Sequence, residues 1–238
     1  MTLDQSTIGN RLLATLHSED FERLAPHLEP IDLPKDFEIA RMGQPHARCY
    51  LPSSGIGSIV AITPEGQRAE VGMVGREGVL PIAPLLYSGF SSSDIVMQVA
   101  GYGHSISCEV LQDLVAERPG LRSVFMHFVQ TLSTQTSYTA LSNAVHHVEE
   151  RLARWILMCH DRADNGTIAL THDYISVMLA VRRPSVTTAL HVLEGNKLIY
   201  SERGLITIRD REALQSFAAD AYGMPEREYA RLIGSMRP

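Results

Sequence analysis

The sequence predicts an α+β fold with an N-terminal antiparallel β-roll, one long helix, and a C-terminal helical unit that includes a β-hairpin. Three observations lead to this order. Short apolar runs separated by turn residues fill 31–108, no charged residue occurs over 123–148, and two helical patterns followed by strand, turn and strand fill 171–208. Since the 238 residues exceed the usual size of one domain, roughly 100 to 200 residues, we expect two domains.

The N-terminal part, 1–120, is expected to form the β-roll. Leucine and phenylalanine residues at near-helical spacing over 10–28 predict one short amphipathic helix before it. Four runs with strand character follow at 56–62, 69–74, 95–99 and 104–108, separated by turn signals such as Pro-Glu-Gly. This pattern is typical of a compact antiparallel unit, either a roll or a barrel.

The segment 121–147 is expected to be a long helix that connects the two domains. Its lack of charge does not suit a solvent-facing helix, and its many Ser and Thr residues make it too polar to span a membrane. Spacings of four and three, typical of a coiled coil, join the following residues: Leu121, Phe125, Phe128, Leu132, Gln135, Thr139, Ser142 and His146. We therefore predict a dimerisation helix with these residues as its seam; the alternative is a helix buried within one chain.

The net charge of −6 is unevenly distributed. Residues 1–147 contain 9 Lys and Arg against 15 Asp and Glu, whereas 148–210 contain 8 of each. The acidity therefore belongs to the N-terminal part, and a local basic point in a neutral C-terminal domain is enough for phosphate contact. The adjacent Arg182 and Arg183 supply such a point.

Targeting signals and enzyme motifs are missing from the sequence. Neither a signal peptide nor an apolar stretch of about 18 residues is present, so we expect a cytoplasmic protein without a membrane partner. Cys49, Cys108 and Cys159 are far apart, which excludes a disulfide framework and favours buried small apolar side chains. Because catalytic-triad and phosphate-loop motifs are missing too, we expect no enzymatic activity and no cofactor.

The C-terminal part, 148–238, is expected to be a winged helix-turn-helix. Thr171 suits the N-cap of a first helix, and Pro184 suits the first turn of a second helix that ends near 195. An apolar stripe on the second helix consists of Val186, Ala189, Leu190 and Leu193. The remaining surface is small, polar and cationic, as entry into the DNA major groove requires. The predicted DNA-contacting residues are Arg182, Arg183, Ser185, Thr187, Thr188, His191 and, at the tip of the wing, Arg203.

These motifs resemble those of the Crp/Fnr transcription regulators over nearly the whole chain. The C-terminal resemblance is carried by Glu150-Arg151-Leu152-Ala153-Arg154-Trp155, Leu170-Thr171, Arg182-Arg183-Pro184-Ser185-Val186-Thr187 and Leu193-Glu194-x-x-Lys197-Leu198-Ile199. Residues 71–79 look like part of the family's cyclic-nucleotide-binding-like β-roll. The resemblance implies a homodimer on an inverted-repeat operator, with double-stranded DNA and RNA polymerase as partners. The positions that read bases in relatives fall on Arg183, Pro184 and Thr188. Of these, only Arg183 keeps the chemistry for a bidentate guanine contact, and Pro184, which replaces a Glu common in the family, loses the readout of cytosine.

An effector pocket is also implied by the resemblance, at Gly75, Arg76, Glu77 and Gly78 together with Thr136 and Ser137. Relatives that bind cyclic nucleotides hold the ribose with a Glu and the phosphate with an Arg. Arg76 stands here where that Glu is expected, and no Lys or Arg follows it before Arg118. We therefore expect that cyclic AMP is not the effector, whose identity stays open.

Two alternatives deserve a test. The chain could be a dimeric ligand sensor that signals through protein contacts, with a helix-turn-helix that does not bind DNA. The helical spacing of His146, His147, Glu149 and Glu150 is compatible with a metal site. We favour a solvated hinge there and predict no metal.

Overall fold

The structure is a computed structural model that describes residues 3–163, 167–202 and 204–236. It begins with two short helices, α1 (Arg11–Ala14) and α2 (Ser18–Leu24), where the sequence predicted one. The side chain of Asn10 accepts a hydrogen bond from the Leu13 amide and so caps α1. Non-helical backbone at His17 then separates the two helices, a local change that apolar spacing alone does not indicate.

The β-roll consists of two antiparallel sheets packed around a common core. Its strands are β1 (Glu29–Leu33), β2 (Glu38–Ala40), β3 (Arg48–Pro52), β4 (Ile56–Ile62), β5 (Arg68–Val74), β6 (Asp94–Val99) and β7 (Gly101–Ser107). One sheet has the order β1-β7-β3 and the other β2-β6-β4-β5. Leu33, Cys49, Leu51, Met97 and Ile106 are fully buried in the core. The predicted α+β fold with an N-terminal roll is confirmed.

Two helices, α3 (Cys108–Glu117) and α4 (Pro119–Val145), follow the roll. The predicted seam of α4 faces the chain's own β-roll and C-terminal part, because Leu121, Phe125 and Phe128 are at most 2% exposed without a second chain. A Cβ placed on Gly78 would lie 2.1 Å from the Phe128 ring, which shows how closely helix and roll approach. The assignment of this face to a dimer seam is therefore wrong. This face of α4 packs on the apolar surface of the β-roll and becomes part of the same core.

The opposite face of α4 points to solvent. Its residues repeat at spacings of four and three along the helix and carry no charge: Met126, Gln130, Ser133, Ser137, Ala140 and Ala144. All are exposed except Met126, which is half-buried. We call these six residues the outer seam of α4. An uncharged stripe of this length on a solvent-facing helix is unusual, since such faces normally carry charged residues.

The C-terminal part contains five helices and a small sheet within the described residues. The helices are α5 (Val148–Arg162), α6 (His172–Met178), α7 (Arg183–Gly195), α8 (Arg211–Ala218) and α9 (Met224–Leu232). The strands β8 (Thr167–Ala169), β9 (Ile199–Glu202) and β10 (Leu205–Ile208) form an antiparallel sheet of order β8-β10-β9. Helix α9 leaves this unit and packs on α4, where Tyr229 joins the N-terminal core. In the described part of the chain, no helix is long and apolar enough to span a membrane.

Buried polar contacts connect α5 to the β-roll. Arg162 Nε lies 2.7 Å from Glu77 Oε1, and both side chains are at most 3% exposed. Tyr229 from α9 donates a hydrogen bond to the Glu77 carbonyl at 2.8 Å. On the same interface, Trp155 Nε1 donates to Glu70 Oε1 at 2.7 Å. These contacts fix the C-terminal unit against the roll with defined geometry.

Glu70 makes this interface sensitive to pH. Burial raises the pKa of Glu70 from 4.5 to about 7, although Ser58, Trp155 and the nearby Arg162 act against the shift. The interface therefore favours the protonated carboxyl. Its contribution to stability is fully present below pH 4.5 and is lost as the pH rises through about 7.

We expect Glu70→Gln to remove this pH dependence, because the amide stays neutral and can still accept from Trp155. Between about pH 5.5 and pH 8.5, the unfolding free energy of the wild type should fall relative to the variant by on the order of 2 kcal/mol. Urea unfolding at the two pH values measures this difference. Parallel pH profiles for both proteins would contradict the assignment.

Candidate nucleic-acid interface and ligand pocket

The helix-turn-helix is formed by α6 and α7. Thr171 Oγ1 accepts a hydrogen bond from the Tyr174 amide at 3.2 Å and so caps α6 as expected. The chain turns after α6 with Ala180 at a φ of +51° and enters α7 with Pro184 in its first turn. The apolar stripe of α7 is buried, as the pattern predicts: Val186, Ala189, Leu190 and Leu193 are at most 1% exposed.

The outer face of α7 carries the predicted DNA-contacting residues. Arg182, Arg183, Thr188 and His191 are exposed, whereas Ser185 and Thr187 are half-buried. Arg182 is the N-cap residue and Arg183 the first residue of α7, so both cations lie where a recognition helix first meets the duplex. The side chain of Thr188 donates to the Pro184 carbonyl at 3.1 Å, which keeps the hydroxyl close to the helix. The resulting surface is small, polar and positively charged.

Arg183 has a partner that the sequence analysis did not identify. Its Nε lies 3.1 Å from Asp173 Oδ1 of α6, with both side chains more than 60% exposed. An exposed ion pair of this kind contributes at most about 1 kcal/mol. Asp173 therefore holds the guanidinium in place without competing strongly against a base or phosphate. Asp173 also lies in the first turn of α6, where its negative charge interacts favourably with the helix dipole.

A second contact joins the two helices near the same point. His172 Nδ1 of α6 and Thr187 Oγ1 of α7 are 3.2 Å apart. This hydrogen bond restricts Thr187 to one orientation and fixes the angle between α6 and α7 at their outer edge. Thr187 thus has a positioning role besides any contact with DNA.

The wing consists of β9 and β10, paired antiparallel from Ile199 opposite Ile208 to Glu202 opposite Leu205. The predicted phosphate contact, Arg203, lies outside the described residues. On the described part of the wing, the Arg209 guanidinium lies 4.3 Å from the centre of the exposed Tyr200 ring. This cation directly follows β10 and was not identified from the sequence.

A pocket of about 470 Å³ lies between the β-roll and α4. Its lining includes Thr136 and Ser137, the two α4 residues expected near an effector, and Ser133 from the preceding turn of the helix. Ser133 and Ser137 belong to the outer seam as well, at the edge where it meets this pocket. The roll contributes mainly apolar residues and three serines: Ile59, Val71, Pro81, Ile82, Ala83, Leu86, Ser91, Ser92, Ser93 and Ile95. Val129 and Leu132 complete the lining. Every one of these residues is uncharged.

The structure does not bring the other predicted effector residues to this pocket. Gly75, Arg76, Glu77 and Gly78 form a turn at the interface with the C-terminal unit instead. Glu77 forms an ion pair with Arg162, and Arg76 Nη2 donates a hydrogen bond to the Ala163 carbonyl at 3.4 Å. Gly78 packs against Phe128 of α4. The contacts of Glu77 and Arg76 join residues more than 80 positions apart, which a local motif does not indicate. The proposed grouping of this turn with Thr136 and Ser137 is therefore corrected.

The possible metal ligands at the hinge have other roles. His146 Nε2 lies 2.9 Å from Asp220 Oδ1, and Glu150 accepts from the His147 amide at 2.8 Å to cap α5. Among the residues that the structure describes, no group of three or more His, Cys, Asp or Glu is placed to hold a metal ion. The hinge between α4 and α5 is thus shaped by helix capping and by the contact between His146 and Asp220.

Comparisons with known proteins agree with this architecture. Residues 150–217 match the family of the Crp-like helix-turn-helix domain. The chain is 22% identical over 198 residues to a CRP-like cAMP-activated global transcriptional regulator of Mycobacterium tuberculosis, covering 80% of this chain and 88% of the relative.

Solved structures show the same fold. FixK2 from Bradyrhizobium japonicum superposes with a TM-score of 0.70 at 17% identity, covering 81% of this chain and 98% of that one. The c-di-GMP responsive global regulator CLP of Xanthomonas campestris has a TM-score of 0.65 at 16% identity, with coverages of 82% and 100%. Residues 150–217 therefore match a Crp-like helix-turn-helix domain, and the chain shares with these regulators a fold in which a β-roll precedes that domain.

Proposed function

We propose that the protein is a homodimer that binds an inverted-repeat operator in a sequence-specific manner. The observation that carries this proposal is the outer face of α7, where two exposed arginines precede a row of small polar side chains. This chemistry fits base edges and phosphates in the major groove. The same proposal states that the protein acts in the cytoplasm and that RNA polymerase is its protein partner.

The outer seam of α4 supports the dimer. Its spacing of four and three is that of a two-stranded coiled coil, and the small side chains of its C-terminal part, from Ser133 to Ala144, allow close approach of a second helix. Because the inner face of α4 is already buried by the chain itself, the outer seam is the face left for a partner. A twofold axis along this helix pair would present two α7 helices to one duplex.

Selection of bound sequences from a pool of random duplexes tests the proposal. We expect an inverted repeat whose half-sites lie roughly 34 to 36 Å apart, about one helical turn. Failure to enrich any sequence, with the protein folded and dimeric, would favour the alternative of a sensor that does not bind DNA.

Arg183 and Arg182 are expected to differ in their contribution to specificity. Arg183→Ala should weaken binding to the selected operator by about 1 to 3 kcal/mol and relax its sequence preference, since a bidentate contact to guanine is lost. Arg182→Ala should weaken binding to all duplexes alike, because a phosphate contact carries no sequence information. Equal losses on operator and random duplex for both variants would contradict these roles.

We also propose that the pocket beside α4 takes an uncharged, largely apolar effector. A buried cyclic phosphate needs charge-assisted hydrogen bonds, usually from Arg, and the only polar side-chain groups that line the pocket are hydroxyls. Isothermal titration with cyclic AMP and cyclic GMP should therefore give no micromolar binding. Micromolar binding of either nucleotide, lost in a Thr136→Ala and Ser137→Ala double variant, would show the opposite.

A further inference from the structure

Two of the three cysteines come together in the β-roll. The Sγ atoms of Cys49 on β3 and Cys108 at the start of α3 are 3.6 Å apart. The pairing of β3 with β7 causes this, because Cys49 lies opposite Ile106, two residues before Cys108. The Cys108 amide also donates to the Ala47 carbonyl at 3.1 Å, which fixes the start of α3 beside β3. The sequence had suggested three separate thiols.

The two thiols differ in their chemical environment. Cys108 is the first residue of α3, where backbone amides favour a negative charge. The hydrogen bond from Cys49, aided by the nearby Arg48 guanidinium, lowers the pKa of Cys108. The same hydrogen bond and full burial raise the pKa of Cys49. Cys108 is also the more accessible thiol, at 6% exposure against 0% for Cys49.

We propose that Cys49 and Cys108 form a dithiol site that hydrogen peroxide oxidises to a reversible disulfide. The Cys108 thiolate attacks one peroxide oxygen, the O–O bond breaks, and protonation of the leaving hydroxide gives water and a sulfenic acid on Cys108. Cys49 then attacks the Cys108 sulfur, the S–O bond breaks, and a second water leaves as the disulfide forms. The two thiols supply two electrons and two protons to one peroxide.

The geometry suits this second step. A disulfide requires the sulfurs to approach from 3.6 Å to about 2.05 Å, which side-chain rotation can supply for atoms already in contact. Cys49 Sγ also lies 3.8 Å from the Pro81 carbonyl, and Pro81 lines the pocket beside α4. Formation of the disulfide therefore changes a contact at the wall of that pocket.

Millimolar hydrogen peroxide, followed by alkylation under denaturing conditions, tests the site in the full-length protein. After peroxide treatment we expect only one thiol, that of Cys159, to be alkylated, whereas all three are alkylated in the untreated protein. Before alkylation, the intact mass of the treated protein should be lower than that of the untreated protein by two hydrogen atoms. Trypsin should then release residues 49–68 covalently linked to residues 77–122, and dithiothreitol should separate them.

Two variants separate the roles of the thiols. Cys49→Ser should stop the reaction at a sulfenic acid on Cys108 that dimedone captures. Cys108→Ser should slow the loss of the remaining thiols by roughly tenfold or more, since the activated thiolate is gone. Cys159→Ser is the control and should still form the disulfide. Three alkylated thiols after peroxide treatment of the wild type, or linkage only between separate chains, would overturn the proposal.

Discussion

Arg162→Met is expected to lower the free energy of unfolding by about 3 to 5 kcal/mol, because it leaves the Glu77 carboxylate buried without its ion-pair partner. Arg162 also donates to the Met158 carbonyl at 2.8 Å, so its removal loses a second buried hydrogen bond. The lost contacts lie between α5 and the β-roll. The unfolding of both units should therefore shift together in a urea titration.

Arg231→Met provides the matched control. Arg231 pairs with Glu228 at 2.8 Å, but its side chain is 65% exposed, so the same substitution should cost less than about 1 kcal/mol. A double variant with Arg162→Met and Glu77→Gln should recover part of the loss, since no charge is then left unpaired. If Arg162→Met costs no more than the control, the ion pair does not hold the two units together.

Ala140→Glu is expected to separate the proposed dimer and to weaken operator binding by roughly 100-fold or more, towards the level of non-specific binding. Ala140 is an exposed member of the outer seam, so a twofold interface would bring two carboxylates together. Light scattering at micromolar concentration measures the oligomeric state, and a gel-shift titration measures the affinity.

Ala116→Glu is the control for this experiment. Ala116 is also an exposed helical alanine, but it lies on α3, away from the outer seam. The same substitution there should leave the dimer and the operator affinity unchanged. A dimeric Ala140→Glu protein, or a monomeric wild type, would contradict the placement of the interface.

The helix-turn-helix could be predicted from the sequence because its determinants are local. The N-cap Thr171, the position of Pro184 and the apolar stripe of α7 all lie within 25 residues, and each acts through its immediate neighbours. The strands of the roll follow from alternation and turn residues in the same way. Local patterns therefore account for most of the fold.

The partners of α4 and of the turn around Glu77 could not be predicted in this way. Coiled-coil spacing identifies an apolar face but does not tell whether a second chain or the chain's own sheet covers it. Glu77 meets Arg162, a residue 85 positions away, and Cys49 meets Cys108 at a distance of 59 positions. Such contacts depend on the packing of separate elements, which no local spacing encodes.

The central claim, specific operator binding through α7, is tested most directly by fluorescence anisotropy on two duplexes. One carries the selected operator and the other has the same base composition in shuffled order, each titrated from about 50 to about 200 mM salt. We predict operator binding at least roughly 1,000-fold tighter than binding to the shuffled duplex, with the logarithm of both affinities falling linearly with the logarithm of salt concentration. Equal affinity for the two duplexes, or no binding to either, would contradict the claim.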